Sequence, residues 1–194
     1  NHAALFSLQE AAFRGLAPDG GLFMPAVIPH ADLEKVRELS ECSFSELSRY
    51  LTRLFFGDEL PETRTNAIAA GACRFPVPLK QVGKDKYTLE LFHGPTFAFK
   101  DIGAGFMGHA LRALNRTAEE TIILTATSGD TGSAVANGFY GIEGVKVVIL
   151  YPDGQVSGLQ ESQMTTLGGN IFPLKVKGTF DDCQRIVKDI FSDA

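Results

Sequence analysis

From residue 87 onward, apolar runs alternate with helical patterns, and this alternation constrains the fold more than any other feature. Residues 87–92 read as a strand, and residues 121–126, 145–151 and 170–175 as three buried ones. Helical spacing fills 99–114, 131–140, 157–167 and 179–191. Continuous apolar strands between helices argue for an α/β protein with a parallel sheet covered by helices. Its crossovers are expected to be right-handed. The part before this is different. Residues 5–14, 32–39, 43–55 and 61–73 read as helices. Ser43 with Glu46 forms a capping box, Asp32 suits a helix start, and Pro61 suits a first helical position. A turn cluster, Ala17-Pro18-Asp19-Gly20-Gly21, leads into a short buried or extended segment at 22–25. The stripe Leu47, Leu51, Leu54 and Phe55 is expected to pack against the α/β part. Residues 76–85 are the candidate boundary, giving a helical region over 1–78 and an α/β region over 79–194.

Composition removes several function classes. With 18 basic and 23 acidic residues the net charge is −5, so nucleic acid is not an expected partner. No apolar run approaches the roughly 18 residues of a membrane span, and no leader pattern opens the chain, so the expectation is a cytoplasmic protein without a membrane partner. Cys42, Cys73 and Cys183 lack CxxC spacing and are expected as buried or half-buried thiols. His2, His30, His93 and His109 have no metal-binding spacing. The chain begins at Asn1, and its last helix reaches Phe191 with no stop signal before Ala194, so both ends are expected to be cut from something longer.

Two places carry chemistry. The first is Thr127-Ser128-Gly129-Asp130-Thr131-Gly132, between a buried strand and a helix. Amides at such a helix N-terminus bind anions, and ligands of open α/β sheets gather at the carboxyl ends of strands. Gly129 and Gly132 let the backbone approach a ligand, and Ser128 and Thr131 add hydroxyls. The plainer alternative is a tight turn with Asp130 or Thr131 as its helix cap. The spacing is neither that of a Walker A loop nor GxGxxG.

The second place is the run from Leu91 to Asp101, LFHGPTFAFKD. Lys100 opens a helix and is flanked by Phe97, Ala98, Phe99 and Ile102. An apolar setting favours a neutral amine, which makes lysine a nucleophile or Schiff-base former. The alternative is a surface lysine paired with Asp101 or Glu90. Gly103, Gly105 and Gly108 lie in the same helix, each at a cost of about 1 kcal/mol against alanine. They suggest close approach of another backbone or of a flat ligand. His93 alone reads more readily as a turn residue than as a catalyst.

At these motifs the chain resembles the threonine synthases. The resemblance rests on ELFHGPTFAFKD (90–101), TATSGDTGSAVA (125–136), VKVVILYPDG (145–154), LQESQMTTLGGNIFPL (159–174) and APDGGLFMP (17–25). It implies the tryptophan synthase β-like fold, fold type II of the pyridoxal-phosphate enzymes, with a small helical N-terminal region. The implied cofactor is pyridoxal 5'-phosphate. The implied reaction converts O-phospho-L-homoserine and water to L-threonine and phosphate. By the same resemblance Lys100 is the catalytic lysine that binds the cofactor covalently. Asp130, Ser128 and Thr131 lie beside the cofactor. Ser128, Gly129, Thr131 and Gly132 receive the substrate carboxylate, with His93 and Thr96 lining the substrate site and Asp101 orienting it.

One family feature is missing. The glycine-rich loop that cradles the cofactor phosphate and the partner of the pyridine nitrogen come later in that family, and nothing before Ala194 resembles them. The chain is therefore expected to be incomplete, with a C-terminal part of the same chain finishing the site. Two alternatives stay open at this point. One is a lyase of the threonine synthase-like group that releases phosphate from a phosphorylated hydroxy-amino acid. The other is a non-catalytic module that binds an anion at the 128–132 turn.

Overall fold

The computed structural model describes residues 4–115 and 120–192; His2, Asn1 and the terminal Asp193 and Ala194 lie outside them. Four helices come first: α1 (Leu8–Arg14), α2 (Leu33–Glu38), α3 (Phe44–Phe56) and α4 (Glu62–Ala72). Each begins where the local chemistry provides a start. Ser7 and Ser43 form capping boxes with Glu10 and Glu46, and the Asp32 carboxylate accepts from the amides of Glu34 and Lys35. Pro61 caps α4 from just outside the helix, one position before the expected one. The 22–25 segment forms neither strand nor buried core: Leu22 and Met24 are 77% and 74% exposed.

An antiparallel hairpin follows, β1 (Leu79–Gly83) and β2 (Lys86–Leu89). The sequence reading placed a strand at 87–92 and nothing at 79–83. The two-residue turn holds Asp85 at φ 56, a left-handed conformation that Asp tolerates better than most residues. From there strands and helices alternate: α5 (Lys100–Leu114), β3 (Thr121–Ala126), α6 (Asp130–Phe139), β4 (Val145–Pro152), α7 (Gly158–Thr165), β5 (Ile171–Val176) and α8 (Phe180–Ser192).

The sheet is parallel, in the order β3-β4-β5, with Ile123, Val147 and Ile171 side by side. Its core lies on one face. Val145, Val147, Ile149 and Tyr151, at period two, pack with Val135, Ala136 and Phe139 of α6, Met164 of α7 and Leu111 of α5. On the opposite face α8 packs over β3 and β4, while Ile122, Phe172 and Leu174 remain 63%, 43% and 51% exposed. Pro173 sits within β5, an edge strand that tolerates the missing amide.

Helix α5 joins the two regions. It packs on α4 and α6, and two of its glycines explain how. A Cβ on Gly105 would stand 2.9 Å from the Gly71 carbonyl oxygen, and one on Gly108 would stand 2.8 Å from that of Gly138. Both positions therefore admit a neighbouring backbone, as the sequence suggested; Gly103 faces open space. The α3 stripe is covered less than expected. Phe56 meets Phe106 of α5 at 5.8 Å, but Leu51 and Phe55 are 41% and 47% exposed. Cys42 is exposed, against the expectation of burial, while Cys73 is half-buried and Cys183 buried.

Candidate active site

Strand β3 ends at Ala126, and Thr127 extends its pairing by one more bond, from its amide to the Leu150 carbonyl (2.9 Å). The chain then turns sharply. Gly129 has φ 142 and ψ −89, a conformation open to glycine and strained for other residues. Helix α6 starts at Asp130 with no side-chain cap, so neither Asp130 nor Thr131 caps it. The Thr127 hydroxyl shapes the turn from inside. It accepts from the amides of Gly129 (3.0 Å) and Gly132 (2.8 Å) and donates to the Gly129 carbonyl (3.2 Å).

This corrects one expectation. The amides of Gly129 and Gly132, assigned above to a ligand, are turned inward onto Thr127, because a buried hydroxyl there needs partners. The amides of Ser128, Asp130 and Thr131 find no acceptor among the described residues. The side chains of all three residues are exposed. The outward donors are thus two hydroxyls and three amides at a helix N-terminus, where the helix dipole favours negative charge.

The lysine segment is built around a buried carboxylate. Asp101, 4% exposed, accepts from the Thr96 amide (2.9 Å) and hydroxyl (2.6 Å). Thr96, expected to touch substrate, instead gives both of its donors to Asp101. Gly94 fits against this pair: a Cβ there would stand 2.8 Å from Phe75 Cζ and 2.9 Å from Asp101 Cβ. The turn also holds Phe97 at φ 61, unusual for an aromatic residue. The result places Lys100 as the first residue of α5, directly after Phe99.

The alternative pairing of Lys100 does not form. Asp101 is occupied by Thr96, and Glu90 by His93 at 2.8 Å. The Lys100 ammonium lies 4.6 Å from the centroid of the Phe99 ring, and no carboxylate pairs with it among the described residues. Its apolar flank is open: Phe92, Phe97 and Phe99 are 52%, 65% and 62% exposed. His93 stacks beside Phe92 at 4.7 Å. No hydrogen bond or ion pair among the described residues links this segment to the 128–132 turn.

Two contributors escaped sequence reasoning. Thr127 was seen as part of the turn, but not as its internal staple. Gln160, at the start of α7, donates to Asp130 Oδ1 at 2.7 Å. The signal for Gln160 was in the sequence, since Ser157 lies three residues before it in a capping-box pattern.

Residues 74–194 match the family described as pyridoxal-phosphate dependent enzyme, and residues 1–73 match the threonine synthase N terminus. The threonine synthase of Haemophilus influenzae is 48% identical over 187 residues, which cover 96% of this chain and 43% of that protein. The crystal structure of pyridoxal-phosphate-bound threonine synthase from Brucella melitensis superposes with a TM-score of 0.92 at 36% identity, covering all of this chain and 43% of its own. That of threonine synthase from Escherichia coli gives 0.83 at 45% identity, covering 97% and 44%. The chain spans less than half the length of these relatives.

Proposed function

Because the chain belongs to the pyridoxal-phosphate-dependent enzymes, we propose that it works with pyridoxal phosphate to convert O-phospho-L-homoserine and water to L-threonine and phosphate, a step of threonine biosynthesis. The cofactor family alone names no reaction. The observation that carries this choice is the match of residues 1–73 to the threonine synthase N terminus, continuous with 40–48% identity to threonine synthases over nearly the whole chain.

The residues fit the cofactor. An aldehyde needs an amine that is not committed to an ion pair, and Lys100 is such an amine. An anionic ligand needs donors aimed outward, and Ser128, Asp130 and Thr131 supply them. Once bound, pyridoxal phosphate supplies an electron-accepting ring that stabilises negative charge developing on substrate carbons. The protein's own residues do the rest. The Lys100 amine holds the cofactor, and when released it moves protons at the substrate's α and β carbons. The 128–132 turn receives the substrate carboxylate through the Ser128 and Thr131 hydroxyls and the outward amides. Asp130 stands at the edge of that turn as an acceptor. His93 lines the approach, and Thr96 acts through Asp101 to hold Lys100 at the helix start. The relatives are more than twice as long as this chain, and on this reading a further part of the same protein completes the cofactor site. The reaction takes place in the cytoplasm, which cell fractionation would check; among the described residues no helix is long and apolar enough to cross a membrane.

The test is chemical trapping. The whole protein, incubated with pyridoxal phosphate and reduced with borohydride, should carry one pyridoxyl group, on Lys100, by peptide mass spectrometry. Lys100→Ala should lose that adduct and about 10³-fold or more of the turnover. Products should be threonine and phosphate; a 2-oxo acid with ammonia would instead point to the lyase alternative. Adducts scattered over surface lysines, with no preference for Lys100, would overturn the reading.

A further inference from the structure

We propose that Gln160 is a positioning residue for the anion-receiving turn: its side-chain amide holds the Asp130 carboxylate, and with it residues 128–132, in the shape that leaves the outward donors free. That this turn receives an anion rests on the function proposed above; that Gln160 holds its shape does not.

Among the described residues four helices begin with the same reciprocal cap. In three of them the returning side chain is a carboxylate: Glu10 to Ser7, Glu46 to Ser43, and Asp182 to Thr179. A cap of this kind requires only an acceptor, and a negative charge adds favourable interaction with the helix dipole. The fourth, Ser157 with Gln160, gives up that charge. Gln160 Oε1 accepts from the Ser157 amide (3.2 Å) and hydroxyl (2.8 Å), as a glutamate would. What glutamine adds is a donor, and that donor is used: Nε2 reaches Asp130 Oδ1 at 2.7 Å. The two ends cannot be exchanged, since the Ser157 amide needs an acceptor and the Asp130 carboxylate a donor.

Two further contacts place the turn on this side chain. Gly129 lies against it so closely that a Cβ would stand 2.5 Å from Gln160 Cδ. The Ser133 hydroxyl lies 3.2 Å from the Gly129 carbonyl oxygen and 3.3 Å from that of Gln160. Helix α7 is itself anchored, which makes Gln160 a fixed post. Met164 is fully buried in the core, and Glu161 meets the Tyr151 hydroxyl of β4 (3.1 Å) and the Lys175 ammonium of β5 (2.7 Å). Rigidity therefore passes from the sheet through α7 to the turn.

Gln160→Glu isolates this role, because glutamate keeps the Ser157 cap but sets a carboxylate against that of Asp130. The readout is hydrogen exchange in the whole protein, followed on a peptide spanning 127–135, whose Gly129, Gly132 and Ser133 amides are bonded inside the turn. Exchange should rise about tenfold in Q160E and return close to the original rate in the double variant Q160E/D130N, where the asparagine donates to the new glutamate. The 180–191 peptide of α8 should not change. If Q160E accelerates exchange throughout the chain, Asp130→Ala decides instead, since it removes the same bond from the other partner and should give the same local tenfold rise. Unchanged exchange at the turn, or a double variant as fast as Q160E, would overturn the proposal. The KM for O-phosphohomoserine should rise about tenfold in Q160E alongside the exchange. Failure of the wild type to form the Lys100 adduct would remove the assigned reaction and leave the exchange result to decide the role of Gln160.

Discussion

Asp101 and Thr127 do at residue scale what neither Lys100 nor Ser128 can do for itself. Each is a buried polar side chain that satisfies backbone amides in a tight turn, and each leaves an outward group free for chemistry. Removing the acceptor strands the amide it served. Asp101→Ala should cost about 2–3 kcal/mol in chemical denaturation, the loss expected when a buried hydrogen bond to a charged group is broken. Thr127→Val, similar in shape but without the hydroxyl, leaves the Gly129 and Gly132 amides unpartnered and should cost about as much. A loss below half a kcal/mol in either case would mean that water replaces the side chain and that the turn does not depend on it.

At the scale of elements, α5 and α7 do most of the positioning. Helix α5 touches the backbone of α4 through Gly105 and that of α6 through Gly108. Gly108→Ala should destabilise by about 1–3 kcal/mol through overpacking. Gly103→Ala, on the open side of the same helix, should stabilise by about 0.5–1 kcal/mol by restricting the unfolded chain. Thermal denaturation of the two variants separates backbone contact from plain helix propensity; equal effects would contradict the packing account. Helix α7 is tied to the sheet by charge. The Lys175 ammonium, and after it the Tyr151 hydroxyl, hold the Glu161 carboxyl below the usual glutamate range, and Glu161 in turn raises Lys175. A carboxyl depressed in the folded state contributes stability above its unfolded pKa and loses it as the pH falls through the folded value. Glu161→Gln should therefore lower Tm near neutral pH, modestly because the pair is partly exposed. The loss should shrink at a pH well below the ordinary glutamate range, as the folded-state carboxyl takes up its proton. A Tm loss of the same size at both pH values would show that the carboxylate's charge is not what matters.

Across the whole molecule, the sheet is finished on one face and open on the other. Parallel sheets are ordinarily covered on both sides. Among the described residues the second face carries α8 alone, and Ile122, Phe172 and Leu174 reach solvent. Both outer strands, β3 and β5, also present unpaired edges among the described residues. Residues 1–194 produced alone should therefore self-associate, with sedimentation showing species above 21.0 kDa. Ile122→Lys with Leu174→Lys should reduce that association. A cooperative monomer from the unaltered chain would contradict this.

Much of this protein is legible in its sequence. The β3, β4 and β5 runs are largely apolar, so a parallel sheet was nearly forced. The burial expected of all three holds only for β4, with β5 burying Ile171 alone and β3 no residue fully. The α3 start was written in Ser43 and Glu46. The candidate lysine and turn could be named because their chemistry depends on residue type and on position at a strand-to-helix junction. The β1 strand was not legible, because its residues are all at least partly exposed and its turn lacks the usual glycine pair. Nor could the sequence say which donors face outward. That depends on where Thr127, Thr96 and Gln160 spend their hydrogen bonds, and those partners are chosen by packing between segments up to 30 residues apart. Local patterning decided the elements. Tertiary packing decided which polar groups were already satisfied, and so which remained for a ligand.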